Sequence, residues 1–385
     1  MKRAVQIIIG IVVAALLMWV LLRGVSWQDL RGSLQKIHWG WLVLAQIPIW
    51  ASFFLRIQRW VYVVRAVHPA TFRAMFNSTQ LAFLVNFTIG MRLGELVRPL
   101  ALSRLSRMTF AKAMAVNALD RVNDFVCLIV VILIGVVAFR PDHDIQLPAG
   151  TFGLKETLTI PKSTVLTGGE AAAIFLVIVL ASLVMIYVNQ KLMLRITNAV
   201  AGVFSQKLAT FACHMIEQFA EGLHVFRNIG DMTKSLAFGL ATWACFLLSY
   251  FLFIKTFGIS FPWYTPFIIQ ILLGFAISAP GVPGMIGQFH LPIVVAMLMA
   301  IPNVSLSDCI ALAMVAHLSN MVPITIFGAY AILTEGLSLA DLRRDVRSAE
   351  EVGHEPRELR DLPEIEVIVN TAESALESQN NESEK

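Results

Sequence analysis

The sequence predicts an all-α polytopic membrane helix bundle, with about six full spans and two opposed re-entrant or broken segments, roughly eight hydrophobic segments in all. Three observations carry this prediction. The 385 residues are 57% hydrophobic and only 15% charged, whereas an average soluble domain carries about 25% charged residues. Several apolar runs approach the roughly 20 residues that a helix needs to cross a hydrocarbon core of about 30 Å. Two apolar stretches, around 86–99 and 280–290, are interrupted by glycine and proline. The runs are continuous rather than alternating, which argues against a β-barrel.

Taken in order, Met1, Lys2 and Arg3 precede an apolar run, 4–22. It is longer than a signal-peptide core of about 7–15 residues and reads as an uncleaved first span with its amino end in the cytoplasm. A second span covers 41–55. Arg56, Arg59 and Trp60 then read as interfacial anchors, and with Arg65 and Arg73 they form a basic cluster favouring the cytoplasmic side. The next apolar segment, 78–89, has this cluster before it and Arg104, Arg107 and Lys112 after it. A full crossing would leave one basic group outside, so the segment is expected to enter and leave on the cytoplasmic side; the alternative, for this segment and for the later break, is one kinked span. Residues 111–139 form one long helical pattern, polar first and then continuously apolar. The stretch 140–169, with Pro141, Pro148 and Pro161, reads as an external loop. A span follows at 170–188.

Residues 191–234 mix charge with apolar side chains at helical spacing, as amphipathic helices on the membrane or against the bundle do. A span at 236–257 returns outward. The short arms 266–279 and 291–301 flank a Pro/Gly break and read as a second hairpin, entered from outside. The last span, 309–333, returns to the cytoplasm. The expected domains are therefore an integral membrane unit, 1–335, and a cytoplasmic, mostly disordered acidic tail, 336–385. From Glu335 onward there are 14 acidic and 6 basic residues, a balance of −8, which leaves +12 on the rest. That excess suits loops facing anionic lipid headgroups. No soluble basic domain is present to bind nucleic acid. The cysteines Cys127, Cys213, Cys245 and Cys309 have no metal or redox spacing. No nucleotide, zinc-protease or nucleophile-elbow motif occurs, so neither a cofactor nor a metal is expected.

The chemistry concentrates in three places. Arg92, Glu95 and Arg98 stand at i, i+3 and i+6, so in a helix Glu95 can pair with either arginine. Charge at membrane depth is costly unless paired or wetted, and guanidinium matches phosphate bidentately. A phospholipid or polyprenyl phosphate headgroup is the natural ligand; the competing reading is an ion-paired brace or snorkelling side chains. Asn117, Asp120, Arg121 and Asp124 share one helical stripe. They could pair with the Arg92/Arg98 group, serve a coupling cation or proton, or form helix-to-helix salt bridges. In the second break, freed backbone groups at Gly284 and Gly287 could coordinate ions or headgroup oxygens. His290 could titrate near neutral pH or act as a hydrogen-bonded structural group, and the same holds for His317.

The segment Gly90-x-Arg92-x-Gly94-Glu95-x-x-Arg98, followed by Asp120-Arg121-x-x-Asp124, resembles the flippase-like family formed by the transmembrane region of lysylphosphatidylglycerol synthases and its stand-alone relatives. Asp120 stands where glutamate is common. Pro283-Gly284-Met-Ile-Gly287 matches that family's later break, although Phe289-His290 replaces its familiar glutamate. His317, ahead of Pro323, also suits the pattern. The resemblance spans nearly all of 1–335 and implies a stand-alone member without the synthase domain. It implies a cell-membrane lipid transporter, moving an anionic or aminoacylated phospholipid or a polyprenyl-linked lipid between leaflets. The candidate substrate-binding set is Arg92, Glu95, Arg98, Asp120, Arg121, Asp124, Gly284, Gly287 and His290. Two rival readings are a membrane lipid transferase, and an accessory subunit whose tail recruits a soluble glycosyltransferase or synthase. The sequence does not specify an oligomeric state.

Overall fold

The computed structural model describes residues 2–335 except 24, 90–91, 142–143, 148–150, 207–208, 211–212, 214–215, 217–228 and 279–280. The expected disordered tail lies outside the described residues, as do Gly90, Pro280 and much of the later part of the expected amphipathic stretch. The architecture is all-α and polytopic. Among the described residues six segments are long and apolar enough to cross a membrane: Trp39–Arg65, Phe110–Ala138, Lys162–Ile186, Gly230–Thr256, Pro283–Ala300 and Leu306–Glu335; the expected first span joins them only as the bent pair Val12–Leu22 and Trp27–Gln35.

The chain opens with α1 (Lys2–Leu22) and the short α2 (Trp27–Gln35), the latter capped by Ser26 Oγ accepting from the Asp29 amide. Helix α3 (Trp39–Arg65) corrects the expected span at 41–55: it runs ten residues further and carries Arg56 and Arg59 into the bundle. Arg59 is 1% exposed and Trp60 fully buried, so neither is an interfacial anchor. Asp120 and Asp124 answer the Arg59 charge and the Arg98 guanidinium covers the Trp60 ring, partners distant in the chain that a local reading does not reveal.

Helices α4 (Phe72–Thr88) and α5 (Gly94–Ser106) form the first hairpin. Thr71 and Thr109 cap α4 and α6 (Phe110–Ala138), each accepting from an amide in the first turn. Both ends of the hairpin sit together, since His68 just before it bonds to the Ser106 carbonyl at its end, 2.8 Å away. Residues 72–106 therefore turn back rather than cross. Beyond α6, the stretch expected to be only loop contains a small antiparallel pair, β1 (Ile145–Leu147) with β2 (Leu158–Ile160), in the register Ile145 to Ile160. Helix α7 (Lys162–Val188) starts eight residues before the expected span, its first turns built from threonine and glycine. It is followed by α8 (Gln190–Phe204) and α9 (Ile229–Thr256).

The second hairpin comprises α10 (Thr265–Ser278), a single helical turn at Pro283–Met285, and α11 (His290–Ala300). Although 283–300 has the composition of a span, Gly284 and Gly287 take φ of +68° and +78°, so regular helix begins only at His290. At 1.5 Å per residue, arms of 14 and 11 residues reach about 21 and 16 Å, well short of a crossing. The flanks of this hairpin lie at the opposite end of the bundle from His68. The His38 amide donates to the Thr256 carbonyl at 2.9 Å, Lys36 pairs with Asp308 at 3.1 Å, and Phe139 meets Tyr264. Helix α12 (Leu306–Glu335) closes the fold, and its far end is tied to α4 by Arg73–Glu335 at 2.8 Å. The two expected hairpins are thus present and opposed.

Lipid tails are as apolar as leucine, so such a bundle rests on packing and polar contacts rather than on water-driven burial. Helices α3 and α9 pack along their length. Gly239 permits this: a Cβ there would lie 2.6 Å from Cys127 Sγ and 3.3 Å from Arg59 Cδ. Phe327 of α12 meets the rings of Trp50, Phe53, Phe54 and Phe76 at 5.2–5.6 Å, locking the first hairpin to α3.

Candidate functional site

The two hairpin tips meet in the middle of the bundle. Arg92, at the tip of the first, donates from Nη1 to the Ser278 carbonyl at the end of the first arm of the second, 2.8 Å away. Arg92 holds φ +56°, a left-handed conformation costing a non-glycine residue about 1–2 kcal/mol. The turn is fixed by Gly94, whose amide donates to Asn86 Oδ1 at 2.7 Å. A Cβ on Gly94 would collide with the Ala82 carbonyl. On the second tip, His290 Nδ1 accepts from the Gly287 amide at 3.2 Å, and the His317 ring stacks on Phe289. The two imidazoles stand edge to face at 4.7 Å. Gly287 itself lies against Leu17 of α1, leaving no room for a side chain.

Between the tips lies a cavity of about 320 Å³. Of the candidate residues, Arg92, Glu95, Arg121 and Asp124 line it; Arg98, Asp120, Gly284, Gly287 and His290 do not. The wall also includes Arg56, Asn86, Trp243, Phe246, Gln270 and Asn320. Sequence reasoning had not placed Arg56, Trp243 and Gln270 there. The available signal for Arg56 and Arg59 was the apolar pattern resuming at Trp60 to Val64, which marks a helix continuing inward.

The stripe on α6 is the hub of the charges. Arg59 grips Asp120 bidentately, Nε to Oδ1 at 2.9 Å and Nη2 to Oδ2 at 3.0 Å, and reaches Asp124 at 2.5 Å. Arg98 donates to the same Asp120 at 2.6 Å, to Asn117 at 3.3 Å and to Thr79 at 3.2 Å, with its guanidinium 3.7 Å above the Trp60 ring. Arg98 and Asp120 are 2% and 0% exposed. Glu95 pairs with Arg121 at 2.9 Å, not with Arg92 or Arg98. The reason is local: Arg92 precedes α5 in a left-handed turn, which breaks the helical spacing, and Arg98 turns to the opposite side. Asp124 joins the two zones, since it also accepts from Trp243 Nε1 at 3.2 Å on the cavity wall.

Arg56 sits between Phe83 and Phe246, 5.0 and 5.5 Å from their ring centroids. Gln270 is 6% exposed and its Oε1 has no partner. Such a group, buried at the wall of a cavity, is matched only when something occupies it. Among the described residues, no cluster of histidine, cysteine, aspartate or glutamate has the geometry of a metal site.

A helical membrane bundle in which two broken hairpins meet at an arginine-rich cavity is a polytopic membrane protein built around a central polar site. The chain belongs to the lysylphosphatidylglycerol synthase TM region family, whose model matches residues 7–328. Membership ties it to membrane-lipid biology. No curated protein and no solved structure matches it.

Proposed function

We propose that this protein transports a lipid with an anionic headgroup between the leaflets of the cytoplasmic membrane, the headgroup passing through the cavity between the hairpin tips. The observation that carries this reading is the junction itself. Two half-crossing hairpins from opposite ends meet at Arg92 and Ser278, and broken, opposed segments are where transporters place their substrate sites. Family membership supports a lipid as the cargo. Arg92, Arg56 and Arg121 bind the phosphate. Glu95 positions Arg121, and Asp124 positions Arg59 and Trp243. Arg98 and Asp120 hold α3, α5 and α6 together around the site.

Basic residues gather at the end of the bundle marked by the His68–Ser106 contact: Arg65, Arg73, Arg104, Arg107 and Lys112. By the positive-inside tendency that end faces the cytoplasm, which also places the end of α12 there. The test is a proteoliposome assay with fluorescent phosphatidylglycerol and a fluorescent prenyl phosphate, reading exchange between leaflets by chemical quenching. Wild-type protein is expected to exceed empty liposomes. Because a charge-assisted hydrogen bond contributes about 1.5–3 kcal/mol, Arg92→Ala is expected to slow exchange about tenfold or more. Wild-type exchange no faster than in empty liposomes, for every anionic lipid tried, would sink the reading.

A further inference from the structure

The charges around the cavity do not balance, and the imbalance identifies the headgroup. Three carboxylates are each committed to an arginine: Asp120 to Arg98, Asp124 to Arg59, and Glu95 to Arg121. Two guanidiniums remain. Among the described residues neither Arg56 nor Arg92 has a carboxylate within 4.0 Å. Arg56 rests on aromatic rings and Arg92 on a backbone carbonyl, contacts that orient a cation without neutralising it. Both line the same cavity. The chain positions adjoining the described tips, 90–91 and 279–280, are uncharged.

Arg56 is half-buried and Arg92 exposed at the cavity, and unneutralised charge at membrane depth is costly unless wetted or paired. A bound phosphodiester, with one negative charge, leaves one of them uncompensated. A phosphomonoester brings about two and closes the balance, and a prenyl diphosphate brings at least two. We infer that the cavity selects lipids whose headgroup carries two or more negative charges, a phosphomonoester or diphosphate, over phosphodiester lipids. This rests on reading the cavity as a headgroup site and specifies which headgroup it takes.

The test measures binding of phosphatidate, farnesyl diphosphate, phosphatidylglycerol and inorganic pyrophosphate to the detergent-purified protein by native mass spectrometry. At about pH 8 phosphatidate and farnesyl diphosphate are each expected to bind at least about tenfold more tightly than phosphatidylglycerol. Phosphatidate loses its second charge on acidification, so its advantage is expected to disappear by about pH 5. The titratable groups facing the cavity are Arg56 from α3, Arg92 and Glu95 from the first tip, Arg121 and Asp124 from α6, and Tyr250 from α9. The second tip contributes none, because His290 and His317 stand behind Phe289. Phosphatidylglycerol corrects for any change in these groups. Arg56→Gln and Arg92→Gln are each expected to reduce the preference for dianionic lipid about tenfold, while Arg140→Gln, outside the cavity, leaves it unchanged.

Equal or tighter binding of phosphatidylglycerol, or a preference that does not respond to pH in the wild type, overturns the inference whether or not the variants fold. Pyrophosphate binding as tightly as farnesyl diphosphate supports the multiply charged phosphate but overturns the lipid as its source. Transport of phosphatidylglycerol without preferential dianion binding leaves the transport proposal standing and removes this one.

Discussion

Asp120→Asn is expected to destabilise the protein by about 3–5 kcal/mol, the usual consequence of removing one partner from a buried ion pair. The carboxylate is fully buried and answers two guanidiniums at once, Arg59 through both oxygens and Arg98 through Oδ2. Asparagine keeps the shape but removes the charge and turns one acceptor into a donor facing an arginine. Arg59 retains Asp124; Arg98 retains only neutral partners. The measurement is the midpoint of thermal unfolding in detergent, followed by loss of the monodisperse peak, and a large fall is expected. Adding Arg98→Met should recover part of the loss, because the stranded charge is removed together with its partner. A single variant as stable as wild type would mean that the network is wetted and not structural.

The second large effect is expected at Gly94. Its missing side chain lets α5 return directly beside α4, with the Gly94 amide on Asn86 Oδ1. A methyl group would meet the Ala82 carbonyl, which cannot rotate away as a side chain can, and the Asn86 amide group 2.7 Å away. Overpacking of this kind costs about 1–3 kcal/mol, and losing the hydrogen bond from the Gly94 amide to Asn86 adds about 1 kcal/mol. The displaced turn also carries Arg92 away from Ser278. Gly94→Ala is therefore expected to lower the unfolding midpoint and to abolish lipid exchange, whereas Gly40→Ala, with nothing within 4 Å of the added carbon, should preserve both. Wild-type exchange by Gly94→Ala would show that the tip geometry is not required.

The hairpins were legible because they are written locally. Gly90, Gly94 and Pro99 interrupt an apolar run flanked on both sides by arginine, and Pro283, Gly284 and Gly287 interrupt a second apolar run later. The stripe on α6 was legible for a similar reason: helical spacing places Asn117, Asp120, Arg121 and Asp124 on one side whatever they face. Their partners were not legible. Nothing near Arg59 in the chain indicates a carboxylate 61 positions away, so a basic residue after an apolar run looks like the end of a span. Glu95 was read against its neighbours in sequence, while its partner is on another helix. Strands β1 and β2 have three residues each, too short for alternation to stand out. Thr164, Thr167, Gly168 and Gly169 made the first turns of α7 resemble loop.

The central claim is that the space between the tips holds a lipid phosphate. It is tested most directly by an electron cryomicroscopy structure of the protein in nanodiscs supplied with phosphatidate. The account predicts phosphate density between the hairpin tips within hydrogen-bonding reach of both Arg56 and Arg92, about 2.7–2.9 Å from their nitrogens. Lipid density confined to the outer surface of the bundle, with that space holding only water, would contradict it.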